Sequence, residues 1–455
     1  MQSQRFSQRF SLVQGDITKK LLQVSLPIIG TQLMLMGYNL VDMFLLGRVG
    51  SDAVAASGTA GLYMWLSGGV MLVGRMGAEI GVAQNKGRRD NEAALSFSRN
   101  ALFLAALLGV LYGLLCLLFP AQLIGFIKVR EAHVVADAID YLWIVGLAMP
   151  FVFISSSVAG SFTGSGNSRA PFIVNACGLV MNALLDPLFI FTLDMGVQGA
   201  AWATVISQAA ACLGAVYWLF RKVDRPFAHY DLFRRPSAVH IRQILRWSIP
   251  MCLESMLFTF FLMVITRFTA GFGAAALTVF RVGGQLETLC WLVCQGFSTG
   301  ITAFVGQNYG AGHWQRMRAG IRKALTLLVG WGLFVTVLFI VARRPLVAVF
   351  VPVPEVVDMG ASYVFIMAFC QVFSCFEAVG SGVFRALGRT IPPSVASITS
   401  NGLRIPLAYA LSRTSLGTDG IWLAITLGAM LRGSWIFLWF LAYSRKWPSG
   451  QDAAE

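Results

Sequence analysis

Apolar residues in this chain gather in long runs, with polar residues concentrated between them. About twelve runs approach or exceed the roughly 20 residues that a helix needs to cross a bilayer: 23–46, 60–82, 98–119, 138–162, 171–193, 199–220, 247–268, 279–305, 324–342, 358–384, 393–413 and 418–441. The pattern predicts a helix over each. Residues 1–22 are polar and basic, and no small-residue cleavage site ends the first run, so no removable signal is expected. Two acids in comparable contexts stand out within these runs: Asp42 in PIIGTQLMLMGYNLVDMFLLG and Asp186 in FIVNACGLVMNALLDPLFIF. A carboxylate in such a helix is costly unless it lines a polar cavity or binds something.

The runs also repeat. Pro27 in SLPIIG answers to Pro250 in SIPMCL, and GVAQNKGRRD answers to AFVGQNYGAG. In the second pair Gln84–Asn85 stands against Gln307–Asn308, and Gly87 against Gly310. Further on, GSFTGSGNSRAP answers to GVFRALGRTIPP, with Phe162 against Phe384 and Gly166 against Gly388. Late in each half, VQGAAWA answers to TDGIWLA. Each half therefore carries about six spans, and because six is even both halves start on the same side, as a parallel repeat does. The expected fold is an all-α membrane protein, twelve transmembrane helices in two pseudo-symmetric six-helix lobes. The lobes are read as 1–220 and 247–455, joined by a basic loop at 221–246.

Composition agrees: 56% of residues are hydrophobic and 12% charged, with a mean hydropathy of +0.69. A soluble domain carries about 25% charged residues. The net charge of +14 raises the question of nucleic acid. With the N-terminus placed inside, however, about 24 of the 35 Lys and Arg residues fall on one side, which is the bias that orients a membrane protein. No nucleic-acid partner is expected. The reading is a multi-pass protein of the cell (inner) membrane, monomeric, with both termini cytoplasmic. The 8 cysteines all fall in predicted spans, where a thiol behaves as a small apolar group, so no disulfide is expected. The 4 histidines fall between spans, and no enzyme motif stands in a workable context.

These phrases, in this order and spacing, resemble the multidrug and toxic compound extrusion (MATE) family. YNLVDMFLLGRVGSDAVAA is similar to the family's first helix and following loop, and NALLDPLFIF to its fifth helix. VGQNYGAG is similar to the loop after the eighth, and VFRALGRTIPP to the turn before the eleventh. The resemblance covers nearly the whole chain.

Topology places Asp42, Asn182, Asp186 and Thr204 at one depth in one half. Two carboxylates, an amide oxygen and a hydroxyl are hard ligands that suit Na⁺, or a proton shared between acids. The resemblance implies that they form the cation site of the N-terminal lobe, with no other metal and no cofactor. Tyr38, one turn before Asp42, either gates that site or packs. In the second half, Glu254, Glu287 and Glu377 are candidates for substrate binding or coupling. The alternative for Glu254 and Glu377 is an internal ion pair with Arg404 or Arg432. The second half has no acid in the places of Asp42 and Asp186; its counterpart regions read FLMVITRF and NGLRIPLAY.

The resemblance implies an antiporter coupled to H⁺ or Na⁺ that exports amphipathic, often cationic organic compounds by alternating access, and not an enzyme. The rival reading is a lipid-linked saccharide or lipid flippase of the same broad superfamily. A pyrophosphate cargo would favour a cationic cavity, whereas the candidates here are acidic.

Overall fold

A computed structural model of the chain describes residues 10–127, 131–222, 224–231 and 234–448. Both extreme termini and parts of the 221–246 loop lie outside the described residues. The first half holds α1 (Ile17–Val49), α2 (Ser51–Gly87), α3 (Asn91–Leu118), α4 (Pro120–Ile127), α5 (Ala132–Gly146), α6 (Met149–Gly164), α7 (Arg169–Pro187) and α8 (Gly196–Arg221). The second holds α9 (Ala238–Ala270), α10 (Ala274–Gly310), α11 (Trp314–Val341), α12 (Arg343–Ala348), α13 (Pro354–Ala368), α14 (Gln371–Ala386), α15 (Ile391–Ser412) and α16 (Thr418–Ser444). No strand occurs among the described residues.

Eight of these helices are long and apolar enough to cross a membrane unaided, and ten spans result when two bent pairs are each counted as one. The remaining two of the twelve predicted spans are α2 and α15. Both are helical as expected but diluted by polar residues and glycine: Arg75 and Glu79 in α2; Ser394, Ser397, Ser400, Asn401 and Arg404 in α15.

The runs 138–162 and 358–384 read as continuous helices, and the structure breaks both. The α5–α6 pair bends by 47° and the α13–α14 pair by 46°. Pro150 is therefore not mid-helix: it lies at the start of α6, where its missing N–H leaves no bond unmade. The second break has no proline. There the Met367 carbonyl, near the end of α13, accepts from Gln371 Nε2 at 2.9 Å and from Cys370 Sγ at 3.2 Å.

The repeat is visible in packing. Gly166 and Gly388 sit at φ 91° and 70°, each closing a helix whose last carbonyls are taken up by the turn. Asn167 N donates to Phe162 O at 3.0 Å, and Arg389 N to Phe384 O at 2.9 Å. Gly160 lies against the Arg75 carbonyl, and Gly382 against the Ser298 carbonyl, so that any Cβ there would collide with backbone.

The chain divides into two units. One holds Leu26–Cys252, the other Gly15–Ser25 together with the chain from Leu253 onward. Both changes of unit fall close to a helix proline, Pro27 in α1 and Pro250 in α9. Within the second unit, Ser25 packs on Gly300 of α10. Within the first, Ser248 Oγ donates to the Val73 carbonyl of α2 at 3.1 Å.

Candidate functional site

Helix α7 is built inside out. Its buried residues are Ala170, Asn182 and Asp186, whereas Val180 and Leu184 are exposed. A lipid-facing helix keeps apolar residues outside, so the spacing of Asn182 and Asp186, one turn apart, aims both at the interior of the N-terminal unit. Asn182 Nδ2 donates to Asp186 Oδ1 at 3.1 Å. Directly after Asp186, Pro187 has no N–H for the helix ladder, and the chain continues as a single π turn, Leu188–Thr192. That turn closes with Leu193 N donating to Leu188 O at 2.9 Å. Such wide turns recur beside functional groups.

Helix α1 brings Tyr38 and Asp42 to the same place, and α8 brings Thr204. Tyr38 Oη and Thr204 Oγ1 are 3.3 Å apart. Asp42 lies within electrostatic reach of Asp186, and Tyr38 within reach of both acids. Three oxygens of the cluster are buried and, among the described residues, accept no hydrogen bond from the protein: Asp42 Oδ1, Asn182 Oδ1 and Asp186 Oδ2. All three are acceptors. Buried acceptors without donors are costly, and a proton or a hard cation is the chemistry that satisfies them together.

Tyr141 on α5 completes the cluster and was not singled out by the sequence. It is buried in a core with Leu46, Leu142, Phe153 and Ile190, and lies within electrostatic reach of Asp42 and Asp186 and close to Thr204. Nothing in AIDYLWIVG separates it from a packing aromatic.

The C-terminal unit gathers a different set. Glu377 pairs with Arg432 at 2.6 Å, both largely buried. Glu287 accepts from Tyr363 Oη at 3.4 Å. Tyr363 reaches it because Gly283 leaves room for the ring, which also packs edge-on against Trp422 at 4.9 Å. Glu254 accepts from Ser394 at 2.8 Å and lies within electrostatic reach of Glu377. The three glutamates are thus each given a partner, of three different kinds.

The MatE family model matches the chain twice, over residues 27–188 and again over 250–410. The probable multidrug resistance protein NorM of Thermotoga maritima is 26% identical over 438 residues, spanning 95% of this chain and 93% of its own length. The FAD transporter of Shewanella oneidensis is 26% identical over 445 residues, 93% of this chain and 94% of its own. A crystal structure of MATE in the bent conformation shares the fold, with a TM-score of 0.90 at 23% identity over 96% of this chain and 97% of that one. Two family matches, one per half of a twelve-span repeat, mean that this chain belongs to the MatE family of membrane transporters, the multidrug and toxic compound extrusion proteins.

Proposed function

We propose that the protein is a multidrug efflux antiporter, coupled to H⁺ or Na⁺, for amphipathic and often cationic organic compounds. The observation that carries this reading is the cluster of Asp42, Asn182, Asp186 and Thr204, with three buried acceptor oxygens that meet no donor among the described residues. Relatives named as multidrug resistance proteins, such as the Thermotoga maritima NorM, support the class of cargo. A cation arriving at the cluster neutralises Asp42 and Asp186. Neutralisation removes the repulsion between two acids and lowers the cost of burying them, which favours a different arrangement of α1 and α7. Pro27 and Pro187 leave carbonyls without helical partners and mark where these helices can bend. Drug release follows from that shift.

In this reading the protein is a monomer of the inner membrane with both termini in the cytoplasm, an orientation supported by the distribution of Lys and Arg. Its working lobes are 1–220 and 247–455, with 221–246 as the cytoplasmic connection.

The test is efflux of ethidium or a fluoroquinolone in everted vesicles, with a pH gradient and a Na⁺ gradient imposed separately. Transport driven by either gradient supports antiport and names the ion. Transport that ignores both contradicts it.

A further inference from the structure

The two halves place one residue in common beside their polar clusters. Tyr141 and Tyr363 are related by the offset that relates Gly166 to Gly388. By the same offset, Arg404 on α15 takes the position of Asn182 on α7, and Ala408 that of Asp186. Where the first half presents acceptor oxygens, the second presents a guanidinium.

That guanidinium is unspent. Its neighbours have partners of their own: Glu377 holds Arg432 at 2.6 Å, and Glu287 takes the Tyr363 hydroxyl at 3.4 Å. Arg404 Nε is buried with no acceptor, and among the described residues Arg404 forms neither a hydrogen bond nor an ion pair. Glu287 and Glu377 act on it only at longer range, and Arg432 opposes them. Arg432 Nε likewise has no acceptor. The position is built for the side chain: Gly428 on α16 lies beneath it, and a Cβ there would run into Arg404 Cγ and stand 2.6 Å from Nε. An intramembrane arginine with donors to spare demands an acceptor. A planar carboxylate or a phosphate oxygen pair is what a guanidinium fork matches.

We propose that Arg404, with Arg432 beside it, forms an anion-recognition site in the C-terminal unit that takes the carboxylate or phosphate group of a zwitterionic or anionic substrate. The site rests on the transport reading above and deepens it: the cationic part of the cargo does not define its range. The Glu287 and Glu377 carboxylates reach Arg404 only at longer range, so an amphipathic anion gains from its apolar body as well as from the guanidinium.

The test is equilibrium binding to the purified full-length protein, read by intrinsic fluorescence. The probes are a fluoroquinolone bearing a carboxylate and a piperazinium, its methyl ester, and ethidium. The wild type should bind the acid about tenfold or more tightly than the ester, the range expected for a charge-assisted bond. Arg404→Gln should erase that preference while leaving the ester and ethidium within about twofold of wild type, and Arg404→Lys should restore part of it. Equal wild-type affinity for acid and ester would overturn the proposal, and this comparison needs no variant to fold. So would an Arg404→Gln protein that loses all three ligands alike, which would make Arg404 a structural group. Titration with citrate and with inorganic phosphate separates the sources: competition with the acid but not with ethidium is expected, and competition with neither contradicts the site. Because the readout is binding, it is independent of ion coupling: loss of antiport in Asp42→Asn tests the transport reading alone.

Discussion

Tyr141 and Tyr363 stand at equivalent points of one repeat, yet the groups around them are of opposite kind. Around Tyr141 are two acids on α1 and α7, an amide and a hydroxyl, with oxygens that no donor among the described residues reaches. Around Tyr363 the acids have partners, and the group left over is an arginine. The scaffold that positions both sets is shared down to its glycines, since Gly160 and Gly382 admit the same close helix approach. Duplication thus preserved the backbone geometry while the polar side chains diverged. The halves differ in the groups left without partners among the described residues: acceptor oxygens in the first, an arginine in the second. An excess of buried acceptors calls for a proton or cation; an excess of donors calls for an anion.

The sharpest way to break the comparison is Asp42→Asn. Removing the carboxylate but not its volume should reduce coupled ethidium efflux to the level of empty vesicles, with membrane insertion unchanged. Wild-type extrusion in expression-matched cells would sink the assignment. Next in size is the pairing of the two acids. Because interacting carboxylates titrate as a pair, the Asp42→Asn/Asp186→Asn double variant should transport no worse than either single one. A double variant with a further clear loss would show two independent sites.

In the other half the largest effect should be on stability. Glu377→Gln leaves Arg432 largely buried without its carboxylate, at a cost of about 3 kcal/mol. A lowered melting temperature in detergent that Glu377→Gln/Arg432→Gln recovers in part would sharpen the contrast. An unchanged melting temperature would remove the pair from the account. Smaller still, Glu287→Gln should change the relative rates for zwitterionic and cationic drugs while ion coupling persists, since its Tyr363 contact is weak and the N-terminal acids are intact. Loss of coupling in this variant, with near-normal coupling in Asp186→Asn, would move the ion site to the C-terminal unit.

Much of this was legible in the chain because charge in an apolar run is rare. Asp42 and Asp186 announce themselves by cost, and Asn182 follows from helical spacing. The repeat is legible because glycines and prolines that set turns and close approaches sit at a nearly constant offset. Other features left no mark. Tyr141 is one aromatic among 34 Phe, 12 Trp and 10 Tyr, and its contact with Thr204 depends on how three helices pack. The bend between α13 and α14 lacks a proline and is supported by side chains that bond the Met367 carbonyl. Arg404 reads in sequence as a partner for a nearby glutamate; only the packing shows that Arg432 takes Glu377 and Tyr363 takes Glu287.

In the proposed mechanism the N-terminal acids carry the coupling ion. This is tested most directly by adding a cationic drug to proteoliposomes and recording ion movement, with a pH-sensitive dye for H⁺ and with ²²Na⁺ for Na⁺. Drug-driven exchange of one of these ions is expected in the wild type, with its absence in Asp42→Asn and in Asp186→Asn and its persistence in Arg404→Gln. Undiminished exchange in both aspartate variants would contradict the mechanism.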